Sequence, residues 1–252
     1  MARRWLTVWL LALAASGQNA PSAPSFEVAE IRVNVSGPGE SRGDLSNGRL
    51  MVTNFPLRFL IAEAWTISGD DVYGPPWLDD VRVDVIAKTP SPVTPDAELR
   101  RMAQTLLRER MKMVAHIEQR EKPVWALAVW KDKPKLTPSE MPAKPEDADC
   151  SFKGTLPGTR LLACKHMTMS QFAHELPNYA GAYADKRVVD QTGLNGAWDF
   201  TIEFTPLAQI EDKGGLTLFA ALQAQLGLQL ESRRLPVSVV VVDSMARTPT
   251  DN

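Results

Sequence analysis

Leu218, Leu222 and Leu226 recur every four residues with Phe219 beside them, the spacing that lines one face of a helix. Thr217 stands where a hydroxyl satisfies a free N–H of the first turn, and Gly227 offers a position at which a left-handed backbone costs nothing. The period then changes from about four to two. Leu228 and Leu230 begin one strand, and Pro236 to Asp243, apolar on both alternating faces except at Ser238, reads as a second strand covered on both sides. Residues 214–243 are thus predicted as helix, glycine stop and two strands.

The same periodicity, taken from the start of the chain, gives a first strand over Phe26 to Val35, a polar surface loop over Ser36 to Gly48 and a short strand from Arg49 to Thr53. Leu57, Leu60, Ile61 and Ala64 form the buried stripe of a helix that begins at Pro56, where the missing N–H is not needed. Asp70 to Trp77 reads as an irregular crossing, and Val81, Val83 and Val85 alternate with Arg82 and Asp84 in a strand. Thr94 as cap and Pro95 as first residue open a helix with the stripe Leu99, Met102, Leu106 and Leu107. Next come a strand through Met111 to Glu118, with His116 on its polar face, and a returning strand from Val124 to Trp130. Trp125 and Trp130 face opposite ways, and both are expected to be partly covered.

After a Pro-, Lys- and Glu-rich stretch the pattern restarts. Met169, Phe172, Ala173 and Leu176 repeat the earlier stripe at a constant offset of 112, behind Thr168 and Gln171 in capping-box spacing. Arg187 to Asp190, the TGLNG turn and Trp198 to Phe204 answer Tyr73 to Ile86. Leu218 to Leu226 answers Leu99 to Leu107, and Leu228 to Val242 answers Met113 to Val129. The prediction is an α+β fold of two related halves, each with short helices packed on a small, mainly antiparallel sheet. The halves are bounded at 21–135 and 150–252, with 136–149 as a linker or mobile loop. The alternative is the approximate self-similarity of any amphipathic α+β chain.

Composition changes this picture at the N-terminus. Arg3 and Arg4, the apolar run Trp5 to Ala15 and the small residues after it have the order of a signal peptide over residues 1–20, too short to span a bilayer. The alternative is an uncleaved N-terminal anchor. The formal charge of −2 becomes −4 once Arg3 and Arg4 leave, and no long basic tract is present, which argues against nucleic acid as a partner. No later segment is apolar for long enough to span a membrane. The expected location is secreted or periplasmic. In an oxidising compartment the only two cysteines, Cys150 and Cys164, are expected to form a disulfide, against two buried thiols or a link between chains.

Candidate chemistry is sparse. His166, His174 and Glu175 could approach a metal, but no H-E-x-x-H or paired-cysteine pattern supports one. Ser170 lacks a nucleophile elbow. Asp190, Asp199 and Glu203 could supply a glycosidase pair, whereas the simpler reading has Asp190 organising the TGLNG turn. Gly214 and Gly215 lie in no phosphate- or dinucleotide-binding motif, and no cofactor is expected.

The blocks FEVAEIRVN, GPPWLDDVRVDVIAKTP, LRRMAQTLLRERMKMVAHIEQREKPVWALAVWK, VVDQTGLNGAWDFTIEFTP and LFAALQAQLGLQLESRRLPVSVVVVDSMARTP together resemble a large secreted family of unknown function found in soil Acidobacteria of the Solibacter type. The resemblance implies no catalytic residue; its usual histidine after the LLRER helix corresponds to His116. The chain is accordingly expected to be an exported soluble protein, a noncatalytic binding module for an envelope or extracellular protein or glycan. Tyr73, Trp77, Asn195 and Trp198 are its possible binding surface. The alternative is an extracytoplasmic hydrolase of carbohydrate or peptide substrates.

Overall fold

The structure, a computed structural model, describes residues 23–131, 134–142, 147–153 and 158–250. The leader expected at residues 1–20 lies outside the described residues. The fold is α+β, with five α-helices and twelve strands in three four-stranded sheets among the described residues. The chain divides into two compact units, one formed by the segment up to His116 together with Val241 onward, the other by Ile117–Val240. In chain order the first unit supplies β1 (Val28–Asn34), β2 (Arg42–Ser46), β3 (Arg49–Pro56), α1 (Leu57–Trp65), β4 (Val72–Tyr73), β5 (Arg82–Lys88) and α2 (Asp96–Arg110). The chain enters the second unit along β6 (Val114–Val129). There it forms β7 (Thr137–Ser139), β8 (Asp149–Phe152), β9 (Arg160–Met167), α3 (Met169–Ala180), β10 (Val188–Asp190), β11 (Ala197–Phe204), α4 (Leu207–Lys213) and α5 (Leu218–Ala221). It leaves along β12 (Leu228–Ser244).

Each unit has its own antiparallel sheet, and the two have the same connectivity. The first is ordered β1-β5-β3-β2 and the second β7-β11-β9-β8. In both, a helix continues directly from the third strand of the sheet. α1 starts at Leu57 and α3 at Met169, which reproduces the 112-residue offset of their apolar stripes. Leu57, Ile61 and Ala64 are buried in one, and Met169, Phe172, Ala173 and Leu176 in the other. The remaining strands form a sheet ordered β10-β6-β12-β4, with β10 parallel to β6.

Local signals hold where capping chemistry enforces them. Thr168 and Gln171 form a reciprocal capping box, and the Thr217 hydroxyl accepts from the Ala220 N–H. Gly227 is left-handed at φ 65°, ending a wide π turn, Leu222–Leu226, that continues α5.

The structure corrects four expectations. The stretch 36–48 is not wholly loop: it holds β2, exposed throughout and therefore without apolar alternation, joined to β3 by a turn at Asn47 and Gly48, both with positive φ. Thr94 does not cap α2; the helix begins at Asp96 after Pro95, and the Thr94 hydroxyl donates to the Ser91 carbonyl. The two expected strand pairs at 111–130 and 228–243 are each one long strand, β6 and β12. No Gly or Asn turn interrupts either, and their polar middles match each other, with Gln119 donating to Ser238 Oγ at 2.7 Å and Arg234 to the Glu121 carbonyl at 3.1 Å. Finally, the second-helix equivalence is one turn out. Lys112 and Gly227, the positive-φ residues that end α2 and the α5 turn, are 115 apart, so Leu107 answers Leu222 and Met111 answers Leu226, all four buried. Helix α4 was not anticipated from the sequence pattern.

A candidate ligand cleft in the first unit

A shared polar device fixes the strand that leads into each unit's first helix. Asn54 in β3 and His166 in β9, 112 apart, both take positive φ, at 53° and 52°, where the ladder with the neighbouring strand shifts register. The backbone N–H freed at each bulge is taken by an aspartate on that neighbour: Asn54 donates to Asp84 Oδ1 at 2.7 Å and His166 to Asp199 Oδ1 at 2.8 Å. The His166 N–H, ahead of the Asp199 carboxylate's smaller interactions, holds that carboxyl below its ordinary value. Around Asn54 the network extends further, with Arg82 donating to its side-chain oxygen, its carbonyl and Ser41 Oγ. Asn54 and His166 stand just ahead of α1 and α3, and the groups around each hydrogen-bond with one another.

Above that foundation the units differ. In the first, β2, β3, α1 and α2 enclose an open cleft of about 330 Å³. Leu50, Val52, Phe55, Leu60, Leu99 and Ala103 form its apolar walls, with Gly43 and Ala64 also lining it. Its polar groups are Glu63 on α1 and Asp96 and Arg100 on α2. Asp96 and Arg100 are one helical turn apart, the spacing at which a helix surface forms ion pairs. Neither their side chains nor that of Glu63 has an ion-pair or hydrogen-bonding partner among the described residues. Two larger hollows of this unit, of about 440 and 740 Å³, lie over the β1 end, beside Glu27, Glu30, Glu109 and Arg110, and on the outer face of the sheet, beside Asp44, Arg49 and Lys88.

The second unit closes the same place. The positions of Leu50, Val52, Phe55, Leu60 and Ala64 are occupied 112 residues later by Leu162, Cys164, Met167, Phe172 and Leu176, and that of Ala103, 115 later, by Leu218; all six are buried. Cys150 stands opposite Cys164 in the β8–β9 register, as Gly43 stands opposite Val52 in β2–β3. The two cysteines are at disulfide distance, Cα to Cα 4.0 Å. Phe172 also meets Phe200 edge to face at 4.9 Å. Where the second unit has Phe, Leu and a cystine, the first has Leu, Ala and the pair Gly43 and Val52. A Cβ built on Gly43 would meet nothing within 4 Å.

The other residues singled out in the sequence lie apart from the cleft. Tyr73 and Trp77 are half-buried in the first unit. In the second, Asn195 is exposed, while Trp198 is half-buried against the core, its indole N–H buried without a partner among the described residues. Asp190 Oδ1 accepts from both the N–H and hydroxyl of Thr192, the turn-organising role, and Glu203 accepts from the Thr159 hydroxyl. His116 Nδ1 lies 2.9 Å from Asp243 Oδ2 on an exposed strand surface. His174 is exposed beside Glu175, and Ser170 lies, exposed, in the first turn of α3. Among the described residues no group of three His, Cys, Asp or Glu side chains could hold a metal, and no helix is long and apolar enough to cross a membrane. Arg58, which no sequence pattern singled out, pins α1 by pairing with Asp79 and donating to the Val72 carbonyl. Its hydrogen bond to Asp79 raises the guanidinium's pKa and lowers the carboxylate's.

A family model described as a protein of unknown function, DUF3738, matches residues 58–245. No curated protein and no solved structure matches the chain.

Proposed function

This chain belongs to the DUF3738 family, and from that premise we propose that it is an exported, noncatalytic binding module whose ligand site is the first-unit cleft. The observation that carries the reading is the contrast between the units. One connectivity is used twice, and the first copy leaves Leu50, Phe55, Leu60 and Ala103 partly open where the second buries their counterparts and carries the cysteine pair. Apolar walls with a few charged groups at the edge are the anatomy of a ligand pocket. They suit a protein or peptide partner better than a glycan, because the walls offer an apolar side chain a place to anchor and few hydrogen bonds to hydroxyls. The cysteine pair at disulfide distance supports an oxidising compartment. For a larger envelope or extracellular partner, Tyr73 and Trp77 on the first unit and Asn195 and Trp198 on the second are proposed as further contacts.

The test uses N-phenyl-1-naphthylamine, an uncharged dye that brightens in apolar sites. The full chain is expected to bind it saturably. The double variant Leu60→Phe/Ala64→Leu, which installs the second unit's residues, is expected to lose that binding while keeping its circular dichroism spectrum. Equal binding by the folded double variant would remove the cleft as the site.

A further inference from the structure

Once the cleft is taken as the ligand site, the premise on which this inference rests, its charged groups specify the occupant. An apolar ligand alone leaves Glu63, Asp96 and Arg100 without a use. A carboxylate alone meets two acids of its own sign, and an amine alone meets Arg100. We propose that the cleft takes a short apolar peptide with both termini charged, its carboxylate on Arg100, its ammonium on Asp96 and Glu63, and its side chains against Leu50, Phe55 and Leu60.

Four observations converge on that occupant. Arg100 is the only hydrogen-bond donor among the cleft's charged side chains and is half-buried, whereas Glu63 and Asp96 are exposed acceptors. The guanidinium suits a carboxylate, which it can grip with two parallel hydrogen bonds. Asp96 and Arg100, on one face of α2 and a turn apart, place opposite charges about 5–6 Å from each other at their Cβ atoms. The termini of an extended dipeptide are separated by roughly 7 Å, within reach of both side chains, whereas those of a single amino acid are closer together. The pair also stays open to a ligand, because neither residue has an ion-pair partner among the described residues. The cleft's volume of about 330 Å³ suits two bulky apolar side chains.

Displacement of N-phenyl-1-naphthylamine by three ligands with one apolar body tests the proposal: the dipeptide Leu-Phe, its N-acetyl form and its C-terminal amide. Leu-Phe is expected to displace the dye, and blocking either end is expected to weaken it about tenfold, the scale of one charge-assisted hydrogen bond. Arg100→Gln should abolish the difference between Leu-Phe and its amide while leaving the acetyl effect. Glu63→Gln/Asp96→Asn should abolish the acetyl effect while leaving the amide one. Dye binding that none of the three displaces, or that all displace equally, overturns the dipeptide and leaves the cleft standing. Failure of the wild-type chain to bind the dye, or equal binding by the filled double variant, overturns the cleft and the dipeptide together.

Discussion

Lys112 is held at φ 50° just beyond Met111, the C-cap of α2, and the equivalent residue of the second unit is Gly227 at φ 65°. A side chain in that left-handed region crowds its own backbone, at a cost of roughly 1–2 kcal/mol that glycine avoids. Lys112→Gly is therefore expected to stabilise the protein by about 0.5–1 kcal/mol in urea denaturation, and Gly227→Ala to destabilise it by about 1–2 kcal/mol. Two changes of the same sign would show that neighbouring contacts, not the backbone, decide these positions. Asp199 gives a pH-dependent counterpart. Its carboxyl is held low by the His166 N–H, so the stability it adds is full above the ordinary carboxylate value near 4 and is lost as pH falls through the lower, native one. The stability difference between wild type and Asp199→Asn, measured by denaturant titration, should therefore shrink from pH 7 to about pH 3. A constant gap would remove ionisation of Asp199 from the account. Gly227, Thr217 and the Thr168–Gln171 box were legible because a cap acts within four residues. The aspartates that satisfy the two bulges were not, since Asp84 lies 30 residues from Asn54 and Asp199 lies 33 from His166.

The same limit operates on whole elements. Periodicity found the stripes of α1 and α3 at their true offset, because those helices are short, amphipathic and start at matching positions. It split β6 and β12, because runs such as Glu118 to Lys122 and Glu231 to Arg234 look like turns until the partner strand that receives them is known. It missed β2 for a related reason: an exposed edge strand buries nothing and so leaves no alternation. Sequence spacing allowed a bond between Cys150 and Cys164, and the strand register supplies what spacing could not, since the two stand directly opposite in β8–β9. Reduction should destabilise the chain by about 3 kcal/mol if closing this short loop restricts the unfolded ensemble. Opposite residues in the first unit's matching hairpin offer the same geometry. Gly43→Cys/Val52→Cys is expected to oxidise without strand movement, giving no free thiol in the unfolded, unreduced chain. Two free thiols per chain would contradict the equivalence of the hairpins.

At the scale of the molecule, a chain that uses one connectivity twice is free to let one copy serve stability and the other function. The second unit concentrates Phe172, Leu176, Phe200, Phe204, Leu218 and the cysteine pair in one buried cluster. The first leaves Leu50, Phe55 and Leu60 only partly covered around the cleft. No sequence motif announced that cleft; its signal lay in the differences between aligned repeats, Leu60 against Phe172 and Ala64 against Leu176, which a search for shared stripes treats as agreement. An unfilled cleft lowers stability, because its walls have lost both apolar burial and packing partners. Ala64→Leu adds three carbons toward that space, and full burial of each is worth about 0.8 kcal/mol, so a gain of about 1–2 kcal/mol in urea denaturation is expected together with loss of dye binding. Opposite movement of stability and affinity in one substitution is the signature of a site kept open at the expense of the core. A variant that loses stability instead would mean that the space beside Ala64 is already packed, and that the two units differ in side chains without differing in role.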